Sequence, residues 1–290
     1  MKLKILKKIK NGLRFCRACL KRNKPGKGLQ SNKVKLYFCS MHQPDDKENL
    51  GDWLTTYIVA ETFKRLSCGL RFDEDVGETR YLYAVGSILF FGIQKATIWG
   101  SGMHEEAPWY RSPKIYKYDI RAVRGPLTRA SLLKNGFFCP EVYGDPAVLL
   151  PLFYTPKLLP SKDFVVVKHK DSVLKEEYPE VDIMTNDPFM TIDQIVNAKL
   201  VISGSLHGII IAESYGVPCI FVTQICDRWG YPQNFKYEDW YASTGRVNNY
   251  PKASTIDEAL NMPIPFVPDL TVMQKKLLAS FPIDLWVPKQ

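Results

Sequence analysis

His207 stands where a histidine can do acid–base chemistry, inside the stretch Lys199–Val222, which reads KLVISGSLHGIIIAESYGVPCIFV. Lys199–Ser203 is a β-branched apolar run of the kind that forms a buried parallel strand. Gly204 breaks it, and Ser205 can cap a helix running from Leu206 to about Tyr215. Gly216 suits the position just past that helix, Pro218 stops any continuation, and Cys219–Val222 is the next strand. His207 would therefore occupy the first helical turn, where free N–H groups and the positive dipole end attract anions. That dipole favours a neutral imidazole in an empty site, whereas a bound phosphate favours its proton. A histidine there either serves as an acid charged in the presence of substrate, or merely caps and packs.

Other groups with usable chemistry lie at predicted element ends. Arg124 closes a short strand at Asp119–Arg124, a place suited to bidentate contact with carboxylate or phosphate, while Arg129 falls in the following helix and is expected at the surface. Pro126 takes the favoured first position of that helix and Gly136 ends it. Lys168 and His169 end a strand at Asp163–Lys170. Asn49–Leu54, NLGDWL, opens a helix through about Arg65, where Gly51 permits close backbone approach. Asp52 can cap that helix or meet an acceptor hydroxyl. Thr97–Gly100 runs into Gly100-Ser101-Gly102 with His104 close behind, glycines that suit either a substrate's approach or a plain turn.

The elements that position these groups alternate strand and helix. Strands are expected at Val34–Ser40, Ser87–Ile93 and Val181–Met184 in addition, with helices over Ile192–Ala198, Ile256–Leu260 and Val272–Ser280. The alternation implies parallel sheets in an α/β fold. Proline-rich Pro151–Lys162 reads as a crossing between two halves, giving a tail and linker over 1–33, an N-terminal Rossmann-like domain over 34–155 and a C-terminal one over 156–290. The aromatics of Thr223–Gly245 (Trp229, Tyr231, Phe235, Tyr237, Trp240 and Tyr241) either offer a stacking platform for sugar rings or pack a returning segment.

Taken in order, NLGDWL, WGSG (Trp99–Gly102), VRGPLTR (Val123–Arg129), GDP (Gly144–Pro146) and SGSLHGIIIAESYGVP (Ser203–Pro218) resemble the polysaccharide pyruvyl transferase family over roughly residues 35–225. Two positions depart from it. Many members carry an arginine where Ser205 stands here, and a proline where Lys168 precedes His169. The resemblance implies two Rossmann-like domains facing a cleft, in a glycosyltransferase-B-like arrangement. It implies transfer of a pyruvyl group from phosphoenolpyruvate, used as a substrate with no cofactor or metal, to two hydroxyls of a sugar. Galactose in a lipid-linked saccharide is the expected acceptor, in assembly of capsule or exopolysaccharide. On that reading His207 is the acid or main phosphate contact, Arg124 and Lys168 bind the donor, and His169, Asp52 and His104 are the remaining acid–base candidates. Gly51, Ser101, Gly204 and Ser205 would line the substrates. A rival is a glycosyltransferase using a sugar nucleotide; retaining enzymes of that type often carry two glutamates eight residues apart, yet Glu213 is followed at that distance by Phe221. A carbohydrate-binding relative without turnover is the third possibility that Ser205 raises.

Composition narrows the classes further. The chain has 290 residues, 46% hydrophobic and 12% aromatic, as a globular protein with sizeable cores has. Residues 1–27 hold 11 Lys or Arg and no acid, leaving 28 basic and 30 acidic residues in the rest. Nucleic-acid binders spread basic residues over a folded face, so no nucleic-acid partner is expected. In the tail, Leu3, Leu6, Ile9, Leu13, Cys16 and Leu20 recur at helical spacing, the pattern either of a helix on an anionic membrane surface or of a solvated extension. No apolar run spans a bilayer or forms a signal peptide, so a peripheral place at the cytoplasmic face of the membrane is expected. Seven cysteines without framework spacing suggest reduced thiols, and the lone Cys16–Cys19 pair lacks partners for zinc. GK[ST], HExxH and GxSxG motifs are absent from the sequence.

Overall fold

The computed structural model describes residues 34–38, 47–68, 79–108, 111–174, 177–226 and 234–286. The basic tail, Cys16, Cys19, Trp229 and Tyr231 lie outside the described residues. Two four-stranded parallel sheets carry the α/β fold. In the first, β1 (Val34–Tyr37), β3 (Arg80–Tyr83), β4 (Lys95–Trp99) and β5 (Lys117–Ala122) lie in that order. In the second the order is β10 (Lys252–Ala253), β9 (Cys219–Val222), β8 (Val201–Ser203) and β6 (Val165–Val167). A separate antiparallel pair joins β2 (Glu48–Asn49) to β7 (Met184–Thr185), with Asn49 opposite Met184.

Helices cover these sheets: α1 (Leu50–Leu66), α2 (Pro126–Lys134), α3 (Pro188–Val196), α4 (Leu206–Ser214), α5 (Phe235–Ser243), α6 (Ile256–Leu260) and α7 (Thr271–Ala279). One buried cluster runs from Leu50, Leu54 and Ile58 of α1, through the 3-10 helix Pro146–Leu152, to Ile209, Ile210 and Ile211 of α4. Apolar burial at roughly 25 cal/mol per Å² is the force that fixes the elements of one half against those of the other. The crossing segment after the 3-10 helix is held in turn: Asp193 of α3 accepts from Tyr154 Oη at 2.8 Å and Lys157 N at 3.1 Å.

The central unit forms as its residues dictate. Gly216 adopts φ +79°, and its N–H donates to Glu213 O at 3.1 Å, while Val217 N–H reaches back to Ala212 O at 2.9 Å. Three expectations change. Ser87–Ile93 is a series of turns, because Gly86 (φ +109°), Phe90 (φ +66°) and Gly92 (φ +93°) take left-handed backbone no strand accepts; the strand lies earlier, at Arg80–Tyr83. Val181–Met184 is not one continuous strand: Val181 N–H reaches Val166 O of β6 at 2.9 Å in an isolated parallel bridge, whereas Met184 pairs antiparallel with β2. Asn49, not Asp52, caps α1, its side-chain oxygen accepting from Gly51 N at 3.0 Å. The stacking platform also closes: Tyr237, Trp240 and Tyr241 are fully buried on α5.

Gly204 meets the chain at close quarters. A Cβ there would lie 2.0 Å from Ile225 O, and backbone cannot swing aside as a side chain can. Gly204→Ala is expected to destabilise the fold by about 1–3 kcal/mol in urea unfolding, the range of overpacked sites. Unchanged stability would mean that the Ile225–Cys226 loop yields freely.

Candidate active site

His207 enters the site from the first turn of α4. Ser205 is at the N-cap but makes no side-chain cap bond; instead Ser203 Oγ accepts from Ser205 N at 3.1 Å and donates to Ser205 O at 2.8 Å. Intrahelical bonding starts with Ile209 N–H on Ser205 O at 3.2 Å, so the N–H groups of Leu206, His207 and Gly208 have no partner inside α4. From α5, Tyr237 Oη donates to Gly204 O at 2.6 Å and steadies the turn. Gly208 lets the helix sit directly on the sheet, its absent Cβ being 2.5 Å from Ser203 Oγ.

Other segments close on the imidazole. Gly51 packs against it so closely that a Cβ would be 2.1 Å from Nδ1 and 2.4 Å from Cε1. Across the ring, Asp145 Oδ2 lies 3.8 Å from Nε2. The His207 side chain is 18% exposed, yet Nε2 itself is buried without a hydrogen-bond partner. Asp145 is fully buried, its Oδ1 accepting from Ala147 N at 3.0 Å and its Oδ2 from Gly86 N at 3.4 Å. Ser101 Oγ donates to Gly86 O at 2.8 Å, and Gly102 N reaches the same carbonyl at 3.0 Å. Gly86, one of the two residues that bond Asp145, is thus itself held by the WGSG segment.

Arg124 is brought beside them but faces inward. Its guanidinium is fully buried, with Nε on Asp239 Oδ2 at 3.1 Å, one terminal nitrogen on Ser87 Oγ and the other on Met103 O at 2.6 Å. Asp239 also accepts from Thr128 N at 2.9 Å and Thr128 Oγ1 at 2.6 Å. Here the arginine ties two loops to α2 and α5, and is not offered to a ligand. Where a donor carboxylate was expected, the guanidinium meets the carboxylate of Asp239, far along the chain. Arg129 is half-buried, with Nε on Cys139 O at 3.2 Å.

Lys168 and His169 follow β6, whose Val167 pairs with Ser203 of β8, so they leave the sheet at the same end as Gly204 and Ser205. Lys168 Nζ is 2.5 Å from Glu180, and His169 Nδ1 is 3.6 Å from Asp171 Oδ2. Asp52 is half-buried in the turn after Gly51, and His104 sits edge-on to Phe91 with ring centres 6.4 Å apart. Two of the described cysteines, Cys139 and Cys219, are buried and poorly suited to act as nucleophiles. Burial pushes the Cys139 thiol up to about 12 and the Cys219 thiol well above its ordinary value. Among the described residues no group of three His, Cys, Asp or Glu side chains could hold a metal ion. Nor is any described helix long and apolar enough to cross a membrane. Asp145 is the site residue that sequence reasoning passed over; its signal was an acid between Gly144 and Pro146.

A family model described as polysaccharide pyruvyl transferase matches residues 34–224. The chain is 29% identical over 229 residues to the succinoglycan biosynthesis protein ExoV of Rhizobium meliloti (strain 1021), covering 73% of this chain and 65% of that one. It is 25% identical over 200 residues to the uncharacterized protein L143 of Acanthamoeba polyphaga mimivirus, covering 63% and 67%. The chain therefore spans about two thirds of the length of these curated relatives. A solved structure of a functionally uncharacterized protein from Klebsiella pneumoniae subsp. pneumoniae NTUH-K2044 is similar with TM-score 0.50 at 15% identity, over 86% of this chain and 98% of that one. That likeness speaks to the fold alone.

Proposed function

The chain belongs to the polysaccharide pyruvyl transferase family, and on that premise we propose that it moves a pyruvyl group from phosphoenolpyruvate onto two hydroxyls of one sugar. The product is a cyclic ketal, and phosphate leaves. Protonation of the enol methylene makes its neighbouring carbon oxocarbenium-like, one hydroxyl adds there, phosphate departs and the second hydroxyl closes the ring. Of the two hydroxyl protons released, one balances the new methyl group and the other goes with phosphate.

The observation that carries this reading is the convergence of separate family motifs on one imidazole, with Gly51 on one side of His207 and Asp145 near its Nε2. His207 is the acid. The N–H groups at the start of α4 and the Lys168 ammonium receive the donor's anionic groups. His169, Asp52 and His104 are the candidates for taking hydroxyl protons, and Ser101, Gly204 and Ser205 shape the pocket. Arg124 acts by holding the loops. We assign the two sheets to two Rossmann-like units, 34–155 and 156–290, facing a cleft. The acceptor is a lipid-linked saccharide carrying galactose, met at the inner membrane face with residues 1–27 on the lipid surface, in surface polysaccharide assembly.

The test is phosphate release from phosphoenolpyruvate with and without a lipid-linked galactoside, with product mass alongside. Acceptor-dependent release and the mass gain of a pyruvate ketal are expected. His207→Ala should lose at least about 10³-fold in turnover, general acid catalysis alone supplying about 10²–10⁴-fold, with an unaltered melting curve. Glycosyl transfer from a sugar nucleotide without phosphoenolpyruvate turnover would overturn the chemistry. Near-normal turnover by the variant would remove His207 as the acid.

A further inference from the structure

Asp145 has a role that capping the 3-10 helix does not exhaust. It is a fully buried carboxylate whose one cation-capable neighbour within 4 Å, among the described residues, is His207. His207 Nε2 is in turn buried and without a hydrogen-bond partner. Two buried groups, each lacking what the other supplies, stand 3.8 Å apart. Leaving a buried polar atom unpaired is unfavourable, and a carboxylate oxygen with one long bond from Gly86 N retains a lone pair for another donor. Catalytic hydrogen bonds are often long before substrate binds and tighten afterwards.

We infer that Asp145 is the positioning residue of His207: it accepts the Nε2 proton, fixes the neutral ring in that tautomer, and leaves Nδ1, beside Gly51, to exchange protons with substrate. This rests on the acid role given to His207 above. In the imidazolium that a bound phosphate favours, Nδ1–H protonates the enol methylene; the ring, now neutral, takes a hydroxyl proton back at Nδ1 and so ends as the imidazolium it began as. Nε2 keeps its own proton on Asp145 throughout. The exposed part of the half-buried ring excludes Nε2, which agrees with a reactive edge on the Gly51 side.

Other charges near α4 are accounted for. Glu213, at its far end, is paired with Arg246 at 2.7 Å, and Asp193 on α3 is held by Tyr154 and Lys157. Asp52 follows Gly51 in the first turn of α1, and Lys168 and His169, paired with Glu180 and Asp171, stand at the neighbouring strand end.

Long-range ¹H–¹⁵N spectra of the 290-residue chain read the tautomer of each of its four histidines, with His207→Ala assigning the signal. At a pH where the ring is neutral, His207 should show the Nε2–H form. In Asp145→Asn the side-chain oxygen keeps the stronger bond to Ala147 N, which turns the amide NH₂ toward Nε2. The tautomer should then reverse to Nδ1–H, and kcat should fall about 10²–10⁴-fold, as wrong-tautomer variants of a catalytic histidine do, with the KM for phosphoenolpyruvate changed by less. An Nδ1–H form in the wild type, or the same tautomer in both proteins, overturns the inference. Should the variant not fold, the wild-type spectrum decides by itself. The spectrum needs no turnover, so a protein inert toward phosphoenolpyruvate would sink the proposed reaction while leaving this pairing to stand or fall on its own signal.

Discussion

Replacing Arg124 by alanine is expected to lower the free energy of unfolding by about 3–5 kcal/mol, the cost of removing one partner of a buried ion pair. The number is large because Asp239 is also fully buried, and only Thr128 would remain to satisfy it. Loss of the guanidinium also strips Ser87 Oγ and Met103 O of their donor, on the two loops that lead to Gly86 and Ser101. A domain stable by 5–15 kcal/mol keeps little margin after such a change. Arg124→Lys keeps the charge but not the planar fork, and should fall between wild type and alanine. In the Arg124→Ala, Asp239→Ala double variant the losses should be far from additive, since the second change removes the stranded carboxylate. Urea unfolding of the three variants checks this. A fully stable Arg124→Ala protein that has lost only phosphoenolpyruvate affinity would return the arginine to the donor site.

The same residue marks how far the sequence could be read. Its place at a strand end was legible, because a short strand, a glycine and an N1 proline punctuate that stretch. Its direction was not, because Asp239 lies 115 residues away. The β8–α4–β9 unit was legible almost residue for residue: β-branched runs, Gly216 and Pro218 act locally and agree with the fold, and Ser205 takes the N-cap position without a side-chain cap bond. Ser87–Ile93 misled because an uncharged apolar run looks like a strand, while Gly86 and Gly92 fold it into turns. In α5 the aromatics at 237, 240 and 241 fall at i, i+3 and i+4, a helical buried face that reads as a sugar platform when only residue type is weighed. The β2–β7 pair joins residues far apart in the chain, and two-residue strands leave no periodicity to find. Asp145 stood in the sequence only as the middle of the GDP motif; it caps the 3-10 helix, and its burial beside His207 comes from Gly86 and the WGSG segment.

Gly51→Ala tests the other wall of the site. A methyl group there would sit 2.1 Å from His207 Nδ1, 2.4 Å from Cε1 and 2.9 Å from Cγ, all inside van der Waals contact. The ring must retreat by more than about 1 Å, and misplacement on that scale costs about 10²-fold in rate. The fold itself should tolerate the change. Gly51 lies within α1, carries no left-handed backbone angle, and Ala is the better helix former by about 0.8–1.0 kcal/mol in a helix interior. Since Nδ1 is the nitrogen assigned to substrate, the loss should appear in kcat more than in KM. Adding Gly51→Ala to His207→Ala should then cost nothing further, because the ring it displaces is already gone. Steady-state phosphate release together with thermal melts separates these outcomes. Wild-type kcat in the single variant would mean that the imidazole does not work from the position between Gly51 and Asp145.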